Sequence, residues 1–251
     1  MMGFLGATRQ SALELADSWA PWLRRWVYRW RDRQWLAQPF MVEGGLLLHG
    51  PPAFRHFEPD LRGVFLDELS SCELFVDVGA NIGLYACLAA SKGKPTIAIE
   101  PLPRNLAFLR RNLAANGFAD VEVVPLAVGE TGGAAKIYGF AEIASMHPTW
   151  SQGAAVQSED VAVTTLDSLI AARCAGRQTF IKMDIEGYEF NALRGATKVL
   201  ASTPRPVWLI EILPRSPLTG MAETGAEATL KLFADSGYQR RQISESMFLF
   251  R

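Results

Sequence analysis

FVDVGANIGLY, residues 75–85, runs from an apolar stretch ending on an acid, through two glycines four positions apart, into a second apolar stretch. This is strand, glycine turn, helix: the context in which an α/β sheet holds a nucleotide-type ligand. Gly79 and Gly83 permit tight turning and close backbone approach, and the start of the following helix offers unpaired N–H groups. The pattern is G-x-N-x-G, without the third glycine of the dinucleotide fingerprint, and no G-x-x-x-x-G-K-[ST] stands elsewhere. Asp77, at the strand end, repels phosphate and suits a ligand bearing an ammonium or sulfonium charge.

Downstream, LFVDVG, PTIAIEP, VEVVPLAV, TFIKMDI and PVWLIEIL read as buried strands. IGLYACLAASKG, PRNLAFLRRNLAANG and EFNALRGATKVLAS read as the helices between them. That alternation predicts a doubly wound, mostly parallel α/β sheet covered on both faces. AKIYGF and VAVTTL add a strand pair, and YQRRQISESMFLFR predicts a closing antiparallel hairpin. Upstream, FMVEGGLLLHGPP alternates as a short hairpin. The organisation expected is a helical extension over 1–40, a lead-in hairpin and helix over 41–72, and a ligand-binding domain over 73–251.

Glu100 closes the second strand about twenty residues after the glycine loop, where an acid accepts both hydroxyls of a ribose. Asp77 and Glu100 at neighbouring strand ends, with the loop between them, point to an adenosine ligand carrying positive charge. Taken singly, they read as a helix cap and a solvated strand end.

Several segments together resemble the FkbM-type methyltransferases, a branch of the class I, Rossmann-like methyltransferase fold. They are FVDVGANIGLY, IAIEPLPRNLAFLRRNLAANG, VVPLAVGE, VTTLDSL and IKMDIEGYEFNALRGA, in that order. The resemblance runs from Phe57 to Leu213 and leaves out the first forty residues. It implies a seven-stranded sheet and S-adenosyl-L-methionine as cofactor. It places Asp77, Gly79, Asn81 and Gly83 at the methionine end, Glu100 with Pro101 and Asn105 at the ribose, and Ala127 and Val128 beside adenine.

FIKMDIEGYEF, residues 180–190, supplies the acceptor side. On a strand, Phe180, Lys182 and Asp184 share one face and Ile181, Met183 and Ile185 the other. Asp184 then lies at the ligand-binding edge, ready to accept a proton from the acceptor or to orient it, with Lys182 as its ionic partner. Glu186 reads as a rim or substrate contact, and Glu189 as a helix-start charge. No His or Asn cluster stands beside Asp184 and Glu186, so no metal site is expected. His147, in the inserted loop, is a candidate base or substrate ligand. Glu211 is another strand-end carboxylate facing the same rim, while Leu213 departs from the polar residue that many relatives carry there.

The chain has 25 basic and 26 acidic residues, a net charge of −1, so no global field exists to hold nucleic acid. Cys72, Cys87 and Cys174 form neither a disulfide framework nor a zinc pattern, which fits a reducing, cytoplasmic setting. No apolar run reaches the ~18 residues that span a bilayer. The expected activity is an O-methyltransferase acting on a small molecule or glycan hydroxyl, a sugar first by family. Polyketide or amine acceptors, an NAD-type dehydrogenase and a membrane-recruited binding module are the alternatives. Residues 1–40 hold five of the seven tryptophans; Leu15, Trp19, Trp22, Trp26 and Trp30 fall on one helical face between arginines. That stripe suits packing on the domain, a homodimer interface, or a membrane surface.

Overall fold

The structure, a computed structural model, describes residues 30–42, 44–56, 59–138, 146, 158–213 and 225–251, the side chains of 55–56 and 59–60 aside. Helix α1 (residues 30–37) leads into the hairpin β1 (Phe40–Val42) and β2 (Leu46–Leu48). A 3-10 turn (Pro52–His56) and α2 (Pro59–Ser71) follow. The alternating core then runs β3 (Leu74–Val78), α3 (Leu84–Ser91), β4 (Thr96–Ile99), α4 (Pro103–Ala115) and β5 (Glu122–Val124). Next come β6 (Ala127–Val128), β7 (Gly133–Tyr138), β8 (Ser158–Thr164) and α5 (Leu166–Cys174). The chain continues through β9 (Thr179–Met183), α6 (Glu189–Arg194), α7 (Thr197–Leu200) and β10 (Val207–Glu211). It closes with α8 (Gly225–Asp235), β11 (Arg240–Gln242) and β12 (Met247–Phe250).

The main sheet has seven strands in the order β11-β12-β10-β9-β3-β4-β5. The pairs β10–β9, β9–β3, β3–β4 and β4–β5 are parallel, whereas β12 runs antiparallel to both β10 and β11. From β3 the chain steps outward through β4 and β5, then returns to lay β9 on the other side of β3. The order therefore reverses between β3 and its neighbours, and the crevice at their carboxyl ends is where such sheets bind ligands.

The period-two rule sorts the strand residues between two cores. Phe75, Ala98, Phe180 and Leu209 pack toward the hairpin, α2, α3 and α4. Val76, Val78, Ile97, Ile99, Ile181, Met183, Trp208 and Ile210 pack toward α5, α6, α7 and α8. Phe65 of α2 meets Phe75 edge-on at 5.2 Å and Phe180 at 5.5 Å, which knits the first core across the two central strands. The lead-in segment 41–72 thus forms one layer over the sheet. Apolar burial on both faces is the dominant stabilising term.

Two expected elements divide. VEVVPLAV separates at Pro125–Leu126 into β5, at the edge of the main sheet, and β6, which joins β8 and β7 in a separate three-stranded sheet. Proline cannot donate to a ladder, so the strand changes partners there. EFNALRGATKVLAS breaks into α6 and α7 at Gly195, where a Cβ would collide with the Gly129 carbonyl oxygen. The tryptophan stripe before Trp30 lies outside the described residues.

Candidate active site

Five polar side chains continue, at the carboxyl edge, the face that further down the strands carries Phe75, Ala98, Phe180 and Leu209. Asp77 follows Phe75 by two, Glu100 follows Ala98, Lys182 and Asp184 follow Phe180, and Glu211 follows Leu209. Strand parity therefore delivers all five to one side of the sheet. Asp77 and Lys182 are register partners on adjacent strands, and both are buried.

On the β3–β4 side, Glu100 is 4% exposed and ties the loops together. Its Oε2 accepts from the Asn81 N–H at 2.9 Å, and its Oε1 accepts from the Leu102 N–H at 2.9 Å and Asn105 Nδ2 at 3.3 Å. Burial pushes its carboxyl up to about 7, against the opposing pull of those three donors. Asn81 is left-handed at φ 50, held there with its N–H turned to Glu100, and Gly79 and Gly83 are left-handed as well. At Gly83 a Cβ would strike Leu109 of α4. Pro101 follows Glu100 into α4. Ala127 packs in a small cluster with Leu102, near the ribose-side loop, whereas Val128 faces the other core.

On the β9–β10 side, Lys182 Nζ lies 3.1 Å from Asp184 Oδ2 and 4.7 Å from the Tyr85 ring centroid. The ammonium is thus buried between a carboxylate and an aromatic face. Past Asp184 the chain turns with Glu186 at φ 55 and Gly187 at φ 87. That turn brings carboxylate oxygens of Asp184, Glu186 and Glu211 within 4.8 Å of one another, so the three acids could hold a cation between them. The local sequence predicts no metal site; the third acid of this cluster comes from β10, which local spacing does not report. Burial beside Asp184 and Glu186 drives the Glu211 carboxyl well above its ordinary range, and Lys182 only partly offsets it. Glu211 Oε1 also accepts from Ser246 Oγ at 3.1 Å.

Glu189 is not a solvated helix-start charge. It is 3% exposed, and its Oε1 accepts from the N–H groups of Ile185 at 3.2 Å and Gly187 at 3.1 Å. It braces the acidic turn from beneath, and burial pushes it up to about 7. His147 lies outside the described residues. Cys87 is buried, with its thiol pushed up to about 12, and stays an inert core residue.

The two halves touch through backbone. Asp184 N–H donates to the Val78 carbonyl at 3.0 Å, and a Cβ on Gly79 would collide with the Asp184 carbonyl oxygen. Tyr85 and Ser246 escape sequence reading: Tyr85 sits in an apolar helix start with no polar signal, and Ser246 reaches Glu211 from a turn 35 residues on.

A seven-stranded sheet with one reversed strand, and buried acids closing two adjacent strands beside a glycine loop, define a Rossmann-like class I methyltransferase. The chain matches the family described as Methyltransferase FkbM domain over residues 77–239 and belongs to it. It is 28% identical over 148 residues to the hexuronic acid methyltransferase AglP of Haloferax volcanii, a match covering 58% of this chain and 59% of that protein. Among solved structures it is similar to precorrin-6y C5,15-methyltransferase from Geobacter metallireducens GS-15, at 15% identity and TM-score 0.43, covering 76% of this chain and 86% of that one. It is also similar to the N-terminal domain of EvdMO1, determined in the presence of SAH and D-fucose, at 13% identity and TM-score 0.44, covering 90% and 94%.

The family indicates S-adenosylmethionine as cofactor. The donor set fits it: two buried carboxylates, Asp77 and Glu100, suit an amino-sulfonium end and a ribose diol and oppose a pyrophosphate.

Proposed function

We propose that the chain is an S-adenosylmethionine-dependent O-methyltransferase whose acceptor is a hydroxyl of a sugar or glycan. The observation that carries this reading is the backbone contact of Gly79 with Asp184, which sets a proton-accepting acid directly against the cofactor loop. The resemblance to a hexuronic acid methyltransferase supports a sugar acceptor.

When bound, the cofactor supplies an electrophilic methyl on a sulfonium, so the protein has to align an acceptor and take one proton. In this reading Asp77 and the left-handed Asn81 turn receive the methionine end, and Glu100 with Pro101 and Asn105 the ribose. Ala127 borders the base, while Val128 is turned to the other core. Asp184 receives the hydroxyl proton while Lys182, pinned by the Tyr85 ring, keeps its carboxylate oriented. Glu211, held in its acid form, hydrogen-bonds Asp184, and Glu186 and Glu211 line the acceptor side. His147 contributes from the inserted loop.

With Glu211 in its acid form, the carboxylates of Asp184 and Glu186 against one lysine still disfavour an anionic acceptor group, so esterification of a carboxylate is not expected. The same excess favours an amine as second reading. A panel of neutral sugars, hexuronates and amino sugars with radiolabelled cofactor tests both: label on a neutral sugar oxygen is expected, and label confined to a carboxylate ester would overturn the reading. Asp184→Asn should lower kcat by about 100-fold or more while calorimetric affinity for the cofactor changes little. A variant losing cofactor affinity but not kcat would make Asp184 a cofactor ligand instead.

A further inference from the structure

Among the described residues the exposed large apolar side chains are Trp30, Met41 and Leu47, all within one N-terminal segment. Met41 and Leu47 face each other across the hairpin as register partners. They are 68% and 37% exposed, while Phe40, Val42, Leu46 and Leu48 on the other face are buried. A two-stranded ribbon with one face in the core ordinarily turns polar residues outward, so an opposed apolar pair there is a feature to explain. On α1, Trp35 and Leu36 pack against the core. Trp30, 54% exposed, shares the outward side with Arg33, three positions on.

The sequence leading into this surface is one-sided in charge. Residues 22–33 hold Arg24, Arg25, Arg29, Arg31 and Arg33 against Asp32 alone. Asp32 is already paired, both of its oxygens accepting from Arg104 at 2.8 Å. Arg111 is exposed on α4, next to Asn112, whose side chain bonds the backbone of His49 just past β2. Asn116 of the same helix bonds both the N–H and the carbonyl of Leu47, so the basic helix and the apolar pair are held side by side.

We propose that the outward face of α1 and the Met41–Leu47 pair seat the protein on an anionic lipid bilayer surface. Indole and aliphatic side chains would enter the headgroup boundary while the guanidinium groups meet lipid phosphates. The tryptophans of residues 19–30, spaced on one helical face, extend the same chemistry along the sequence.

Full-length protein would be sedimented with vesicles of phosphatidylcholine alone, or with about one-third phosphatidylglycerol. Binding to the anionic vesicles is expected, weakening as salt is raised. Met41→Ser with Leu47→Ser should lower the partition coefficient by about tenfold or more, and Arg111→Glu should lower it further. Both serine positions are exposed, so the thermal unfolding midpoint should not move. Since Cys72, Cys87 and Cys174 are buried, a polarity-sensitive fluorophore can be placed by Met41→Cys or, as control, by Glu245→Cys. Vesicles should blue-shift the first and leave the second unchanged. Equal sedimentation of wild type and the serine pair, or no shift at position 41, would overturn the proposal. So would a dimer abolished by the serine pair in a protein that binds no vesicles.

Discussion

Glu186 is a side chain in a conformation that L residues other than glycine and asparagine seldom adopt, at φ 55. Holding it there costs about 1–2 kcal/mol, and the return is three converging carboxylates. Glu186→Gly should therefore raise the unfolding midpoint by about 2–4 °C, from about 1 kcal/mol of relieved strain, while lowering methyl transfer. A variant gaining neither stability nor a rate defect would mean the turn is set elsewhere. Glu189 offers a second measurement. Its folded pKa of about 7 exceeds the ordinary 4.5, so the folded state binds the proton more tightly. Its contribution to stability is complete below pH 4.5 and is lost as pH rises through 7, by at most about 3 kcal/mol. Glu189→Gln keeps an acceptor for Ile185 and Gly187 without the titration. The difference in unfolding free energy between variant and wild type should thus shift in the variant's favour between pH 4.5 and 7. Parallel curves would refute this account. Glu100, also raised to about 7, predicts that affinity for S-adenosylhomocysteine improves about tenfold from pH 6 to 8, with the trend absent in Glu100→Gln.

At the scale of elements, what could be read from the chain was what depends on parity and chain order. FVDVGANIGLY announces strand, loop and helix, and alternation in TFIKMDI puts Lys182 and Asp184 on the face of Phe180, as found. What was hidden depends on approach between distant segments. The break between α6 and α7 answers a carbonyl at Gly129, 66 positions before Gly195, and nothing in the local propensities of EFNALRGATKVLAS reports it. The meeting of Glu211 with Asp184 follows the β9–β10 register, and Glu186 joins them at the left-handed turn; neither is visible in spacing. Gly195 has an ordinary negative φ, so Gly195→Ala would probe close approach alone. A loss of about 1–3 kcal/mol in chemical denaturation is expected, and a stabilised variant would show that the neighbouring loop yields freely.

Across the whole molecule, the proposed reading divides the sheet's carboxyl edge between adenosine recognition at β3 and β4 and acceptor recognition at β9 and β10. The first half matches the S-adenosylmethionine cofactor that membership in the FkbM methyltransferase family indicates. The second half, with Lys182 buried under Tyr85 and three acids sharing little space, is where that reading puts the choice of acceptor. The N-terminal segment is anchored to the same framework, since Asp32 grips Arg104, and Arg104 adjoins the Asn105 that bonds Glu100.

The contact between Gly79 and the Asp184 carbonyl has a consequence for binding. In the proposed reading, a ligand that settles the glycine loop also steadies the backbone from which Asp184 projects, so the two substrates should not bind independently. Each should tighten the binding of the other. By thermodynamic reciprocity, the factor by which S-adenosylhomocysteine tightens acceptor binding must equal the factor by which acceptor tightens S-adenosylhomocysteine.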